Sequence, residues 1–310
     1  MFSILIPAYK ARFLNECIES ALAQTYPDFE IIIVDDASPE DLLSIVKKFG
    51  DSRLHYYRNE TGFGAYNVVG NWNKCLEYAH GEYVICMGDD DVLMQNCLEE
   101  YNVLIGKYPT LDIFHGRTIL INEEGNYIDI VQSRAEYENI YQFMRHRVDG
   151  YFQFIGDFCY RTSTLRKNGG FYWKPFAWGS DDITAYIAID SKGIANTSRA
   201  CFKYRFNSQS ISLDKNIKIK LVENMATVDY MNQLLDKFAC DSVEDAISKR
   251  ILLKGMPSYL ISLQKFLLLQ SKVWSRSMVV VISQYRKFAI PLKVLFRVLL
   301  QKFMLKWKIE

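Results

Sequence analysis

The stretch "GEYVICMGDDDVL", residues 81–93, decides how the rest of the chain is read. Tyr83 to Met87 is an unbroken apolar run, the pattern of a short strand buried on both faces, as parallel sheets use. It ends in three adjacent carboxylates, Asp89, Asp90 and Asp91. Neighbouring carboxylates repel one another, and removal from water at a strand end raises that cost. A divalent cation with oxygen ligands would offset it. A solvated acidic turn is the bland alternative.

The same arrangement recurs upstream. "MFSILIPAY" (1–9) is an apolar strand closed by Pro7, and "ARFLNECIESALAQTYPDF" (11–29) sets Phe13/Leu14, Cys17/Ile18 and Ala21/Leu22 on one helical stripe. "EIIIVDDAS" (30–38) is a second buried strand, ending in Asp35 and Asp36. "PEDLLSIVKKF" (39–49) starts a helix at Pro39, and "RLHYYRN" (53–59) is a third strand. The loop "NETGFGAYN" (59–67) then leads to a helix with Val68, Trp72, Cys75, Leu76 and Ala79 on one face. Strands alternating with helices predict a parallel sheet with right-handed crossovers, whose ligands bind beyond the carboxyl ends of the strands. Tyr9, Asp35, Asp36 and Asp89–Asp91 all fall at such ends.

Downstream, "TILINEEGNYIDIV" (118–131) reads as a hairpin turning at Gly125-Asn126, and "YFQFIGDFCYR" (151–161) as another strand. "STLRKNGGF" (163–171) is a short helix halted by Gly169 and Gly170. "WKPFAWGSDDITAYIAIDSKG" (173–193) delivers Asp181 and Asp182 at a helix start, where Asp also serves as a plain cap. "ANTSRACFKYRFNSQSIS" (195–212) is a last strand and its exit, and from Asn216 the pattern is helical.

Charge divides the chain at the same place. Residues 1–215 hold 21 Lys/Arg against 29 Asp/Glu, a net −8; residues 216–310 hold 16 against 7, a net +9. The expected organisation is an α/β domain over 1–215 and a helical, basic region over 216–310. Seven Cys sit singly on apolar stretches without zinc spacing, so they read as core residues of a reducing compartment. The chain opens in a strand, without a charged segment and cleavable apolar run, and no uncharged apolar run reaches the ~18 residues of a membrane span. A cytoplasmic chain is expected. The tail "SQYRKFAIPLKVLFRVLLQKFMLKWKIE" (283–310) interleaves cations with Leu, Phe and Trp, which suits an anionic membrane surface or a helix packed on the catalytic domain. Nucleic acid is disfavoured by the acidic body.

The stretches "SILIPAYK", "QTYPDFEIIIVDDAS", "NWNKCLEYAHGEYVICMGDDDVL", "RKNGGF" and "WGSDDITAYIAIDSKG" stand in an order and at separations that resemble the inverting family 2 glycosyltransferases of the GT-A fold. The resemblance covers roughly residues 1–212. It implies a GT-A nucleotide-binding sheet, mostly parallel and flanked by helices, with a C-terminal helical extension. It further implies transfer of a hexosyl or N-acetylhexosaminyl group from a nucleoside-diphosphate sugar, UDP favoured, to a hydroxyl of a glycan or lipid-linked glycan. Surface-polysaccharide assembly, at the inner face of the plasma membrane, is the implied setting.

By the same resemblance Pro7, Ala8, Tyr9, Asp35, Asn67, Asn73 and Asp89 contact the nucleotide, with Asp89 on the ribose. Asp90 takes Mn²⁺ or Mg²⁺, and Asp91 is an alternate or outer ligand. Asp182 is the base that deprotonates the acceptor hydroxyl, with Asp181 in reserve. Trp173 and Trp178 are candidate acceptor contacts, and Asn207 stands where relatives often place a His near metal or phosphates. His115 and His146 lack partners at ligand spacing. Three departures stand out: Gly88 replaces the first Asp of the longer acidic motif, Asp181 replaces a Glu, and Trp72 replaces the Arg of an Arg-Asn pair. The first two leave room for a non-catalytic sugar-nucleotide-binding subunit. A sugar-1-phosphate nucleotidyltransferase fits less well, because "PAYKARF" lacks a Gly-rich loop, and no G-x-G-x-x-G supports a dinucleotide oxidoreductase.

Overall fold

The structure, a computed structural model, describes residues 1–208, 210, 216–271 and 275–306, the last four by backbone alone. The chain forms two compact units, Met1–Gln209 and Ser210–Glu310. The boundary expected after residue 215 falls outside the described residues, as does the end of the basic tail beyond 306.

The first unit begins β1 (Phe2–Ala8), α1 (Leu14–Leu22), β2 (Phe29–Asp35), α2 (Leu42–Val46), β3 (Leu54–Arg58), α3 (Val68–Tyr78) and β4 (Tyr83–Cys86). It continues with β5 (Val92–Leu93), α4 (Cys97–Lys107), β6 (Ile113–Ile121), β7 (Tyr127–Ile130), β8 (Tyr137–Glu138) and α5 (Ile140–Val148). β9 (Phe158–Arg161), α6 (Thr162–Lys167), α7 (Ser180–Ile189) and β10 (Ile194–Arg205) complete it. One sheet runs β3-β2-β1-β4-β9-β6-β10-β5, with β7 beside β6 and β8 beside β10. Its β3-β2-β1-β4 half is parallel throughout. β9 lies antiparallel between β4 and β6.

The all-apolar strands explain the parallel half, because both faces of β2 are covered and every residue of it is buried. Ile4, Ile6, Ile31, Ile33 and Ile85 pack with Cys17, Ile18 and Leu98 from the helices into one core. Pro7 is tolerated in the middle of the sheet because of register. β4 pairs with β1 only as far as Leu5↔Cys86, so the missing Pro7 N–H faces the space past the end of β4. That space is where the acidic turn folds.

Two expectations are corrected. Residues 151–161 are not one strand: Ile155–Asp157 form a 3₁₀ turn, and only Phe158–Arg161 is extended. Asp157 holds that turn by accepting from the Phe154 N–H at 3.0 Å and from Thr118 Oγ1 at 3.0 Å. Nor are all the cysteines core residues, since Cys240 is exposed while the other six are buried.

The second unit contains α8 (Ile217–Lys237), α9 (Val243–Gln270), α10 (Arg276–Ser283) and α11 (Leu292–Lys306). Pro291 stands just before α11, where a missing N–H costs nothing. No described helix is long and apolar enough to cross a membrane.

Candidate active site

The acidic turn is satisfied largely by the protein's own donors. Asp89 is buried, and its Oδ2 accepts from the N–H groups of Tyr9 and Lys10, each at 2.7 Å. The carboxylate thus takes the place of a sheet partner for the end of β1, beyond Pro7. Burial, then the charge of Asp90, pushes Asp89 up to about 6. Asp91 is also buried and turned inward, where Oδ1 accepts from the Arg205 N–H at 2.9 Å; burial, then the charge of Asp90, pushes its carboxyl well above the usual range. Asp91, expected as an alternate or outer ligand, thus has Oδ1 engaged by the backbone of β10. Asp90 alone keeps partial exposure, and Asn207 Nδ2 donates to its Oδ2 at 2.7 Å.

Arg205, wholly buried at the end of β10, is the partner that sequence reasoning missed. Its guanidinium donates to the Asp90 carbonyl at 2.8 Å and to Glu16 at 2.7 Å, placing a fixed positive charge under the turn. Gly88 has a steric reason. A Cβ there would lie 2.7 Å from Asp90 Oδ1 and 3.0 Å from Asp91 Oδ2, so a side chain at this position would require the folded-back carboxylates to shift. Among the described residues, no group of three or more His, Cys, Asp and Glu is arranged around a metal position. The donor set suits a sparse Mg²⁺ or Mn²⁺ site, one carboxylate completed by substrate phosphates, and does not suit an all-protein cage.

At the end of β2 the two carboxylates have separate tasks. Asp35 has no exposed surface. Its Oδ1 accepts from the Ser38 N–H at 2.7 Å, and its Oδ2 accepts from Tyr56 Oη at 2.5 Å and from the half-exposed Arg58 guanidinium. Direct contact with a base, as expected of Asp35, conflicts with this burial; the group it presents to the rim is Arg58. Asp36 gathers the loop that follows β3, accepting from the N–H groups of Phe63 at 2.8 Å and Gly64 at 2.9 Å and from Asn59 Nδ2 at 3.0 Å. Asn59 also donates to Asn71, whose Nδ2 donates to the Val34 carbonyl at 3.0 Å.

The remaining rim residues divide between exposed and structural. Pro7 is half-buried and Ala8 buried, while Tyr9 is exposed beside them. Asn67 caps α3 by accepting from the Gly70 N–H at 3.2 Å. Asn73 is corrected from a nucleotide contact to a brace: it accepts from the Phe171 N–H at 2.8 Å and donates to the Phe171 carbonyl at 3.1 Å. Trp72 packs edge-on against the Phe171 ring at 5.8 Å, so the Trp-Asn pair anchors the segment after Gly170. Trp173 is exposed with its ring 6.0 Å from that of exposed Tyr66, and Trp178 is half-buried.

The segment between Trp173 and α7 is strained. Phe176 and Ala177 both take left-handed backbone, at φ 58° and 53°, and Gly179 follows at 85°. This turn sets the start of α7, where Asp181 and Asp182 diverge. Asp182 is 3 % exposed, with Arg147 Nε donating to its two oxygens at 3.0 and 3.2 Å and Gln153 Nε2 to Oδ1 at 2.6 Å. Asp181 is half-buried and accepts from the Asp182 N–H at 2.9 Å. Burial, then the adjacent Asp182 charge, lifts Asp181 to about 7 although Arg147 pulls the other way. Asp182 is thus held by Arg147 and Gln153, whereas Asp181 accepts from the neighbouring Asp182 N–H. The histidines lie elsewhere: buried His115 is 3.6 Å from Asp157, and His146 pairs with Glu138 at 2.8 Å.

Comparison with known proteins gives this geometry a setting. The family described as glycosyl transferase family 2 matches residues 3–180. The chain is 35% identical over 223 residues to the Escherichia coli UDP-Glc:alpha-D-GlcNAc-diphosphoundecaprenol beta-1,3-glucosyltransferase WfgD, covering 71% of this chain and 83% of that one. It is 32% identical over 136 residues to an uncharacterized glycosyltransferase of Rickettsia conorii, of whose length the match spans only 22%. Among solved structures, S. aureus TarS 1–349 in complex with UDP-GlcNAc superposes with a TM-score of 0.59 at 17% identity, over 92% of this chain and 91% of that one. The mannosyltransferase PcManGT from Pyrobaculum calidifontis, in complex with GDP-Man and Mn²⁺, superposes at 0.50 with 15% identity, over 98% and 84% of the two chains. The two structural likenesses bear on the fold, which is GT-A.

Proposed function

Because the chain belongs to glycosyl transferase family 2, we propose that it moves a sugar from a nucleoside diphosphate, UDP favoured, to a hydroxyl of a lipid-linked glycan, with inversion at the anomeric carbon. The relative named as using UDP-Glc and a diphosphoundecaprenol-linked acceptor supports that donor and acceptor class. Such an acceptor would hold the reaction at the inner face of the plasma membrane.

The observation that carries the mechanism is geometric: Asp182 is buried and held by Arg147 and Gln153, while the adjacent half-buried Asp181 is left to titrate, its pKa raised by burial and by the Asp182 charge. A general base works best with a pKa near the operating pH. Asp181 therefore takes the proton of the acceptor hydroxyl as that oxygen attacks the anomeric carbon. The bond to the diphosphate breaks on the opposite side, and the electron pair leaves with the nucleoside diphosphate. Asp182, favoured for this task by its sequence position, instead acts as a positioning residue.

Asp90, with Asn207 beside it, would hold Mn²⁺ or Mg²⁺, which supplies counter-charge for the departing diphosphate. Tyr9, Pro7 and Ala8 line the nucleotide rim, with Asp89 holding the Tyr9–Lys10 backbone that the ribose would meet. Asp35 acts through Arg58, and Asn67 through its cap on α3. Trp173 with Tyr66 offers an aromatic face for a sugar ring, and Trp178 supports the same segment.

A thermal-shift screen of UDP-Glc, UDP-GlcNAc and GDP-Man, each with and without Mn²⁺, tests the donor half. A UDP-sugar at about 100 times its Kd should stabilise the protein by about 2.7 kcal/mol. No shift with any of the three contradicts the reading.

A further inference from the structure

Residues 246–309 contain thirteen Lys/Arg and not one Asp or Glu. A run of one sign this long calls for an anionic counterpart. Within it, α11 packs through Leu295 and Val298, both buried, while Lys302 Nζ donates to the Leu269 carbonyl at 2.8 Å. The opposite side is unusual for a packed helix. Leu292 and Phe296 are each 62% exposed and Leu300 47%, at the i, i+4, i+8 spacing that aligns them in one ridge. Lys293 and Arg297, both exposed, form the next row.

We propose that this outer face of α11 is a docking surface for an anionic lipid bilayer, with Leu292, Phe296 and Leu300 entering the headgroup–acyl boundary and Lys293 and Arg297 meeting lipid phosphates. The pairing of an apolar ridge with a cationic row is the complement of that boundary. A second copy is the poorer fit: ridge against ridge would bring the cationic rows of two copies together, and residues 246–309 supply no carboxylate to answer them. A nucleic acid would engage the cations but leave Leu292, Phe296 and Leu300 in water. The surface concerns where the protein sits and is independent of which sugar it transfers.

The test is sedimentation of the full chain with phosphatidylcholine vesicles, with and without phosphatidylglycerol. Binding is expected only when phosphatidylglycerol is present, and raised salt should release it. The double variant Leu292→Ser/Phe296→Ser keeps every charge and should lower binding at least ten-fold, with an unchanged melting temperature because neither side chain is on the packing face. Lys293→Gln/Arg297→Gln should lower it by about ten-fold or more. Undiminished binding by the ridge variant would mean charge attraction alone and would overturn the proposal. So would equal binding to both vesicle types, no binding to either, or a concentration-dependent dimer that the ridge variant abolishes. No donor enters the assay, so any of these results leaves the roles of Asp90 and Asp181 to their own tests.

Discussion

Replacing Asp181 by Asn should make the protein more stable and far less active at pH 8. In the native state Asp181 holds its proton up to about 7, against about 3.9 for an ordinary Asp. The folded chain therefore binds more protons than the unfolded chain across that window, and native stability falls as pH rises through it. About three pH units correspond to a ceiling of about 4 kcal/mol. Half-burial leaves part of the carboxylate in water, so ~2 kcal/mol is the working figure. Asn carries no charge to desolvate, so the variant should melt roughly 5 °C higher at pH 8. The difference should close as pH falls from about 7 to the ordinary Asp range and vanish below about pH 3, where Asp181 is protonated in either state. Turnover, read as UDP released with acceptor present, should fall by about 10²–10⁴. A variant with wild-type turnover, or one no more stable than wild type at pH 8, refutes the assignment.

Three further substitutions separate the roles of neighbouring residues. Asp182→Asn should lower the midpoint of the acid limb in the pH–rate profile, because the Asp182 charge helps to raise Asp181 after burial does. It should also cost ~1–3 kcal/mol in urea unfolding, as Arg147 loses a charged acceptor. Asp90→Ala should abolish the Mn²⁺-dependent part of UDP binding in calorimetry without lowering the melting temperature, since one of three repelling carboxylates is removed. Asn73→Ala should lower stability by about 1–2 kcal/mol and leave UDP affinity unchanged, because its amide serves Phe171; a large loss of UDP affinity would restore it to the nucleotide site.

The parallel half of the sheet was legible because fully buried strands leave long apolar runs, and polar residues at their ends mark the ligand edge. What the sequence concealed were partners distant along the chain. Asp181 and Asp182 are adjacent and chemically identical; Arg147 and Gln153, far upstream, make one a fixed charge and the other a titrating group. Asp35 and Asp36 differ in the same way, since Arg58 and Tyr56 reach across from β3 to claim the first. The acidic turn suggested a cation alone, because nothing local announces that Arg205, more than a hundred residues later, lies beneath it. The 3₁₀ turn at Ile155–Asp157 was missed because its aromatic neighbours carry strand propensity, and a single Asp overrides them.

The most direct test is the anomeric configuration of the product. The full chain should be given UDP-glucose or UDP-N-acetylglucosamine, whose sugars are α-linked, together with a GlcNAc-diphospho-lipid acceptor and Mn²⁺, and the product read by proton NMR. The account predicts UDP release that depends on acceptor, and a new β-glycosidic bond. An α-linked product, or no acceptor-dependent UDP release from any UDP-sugar, would contradict it.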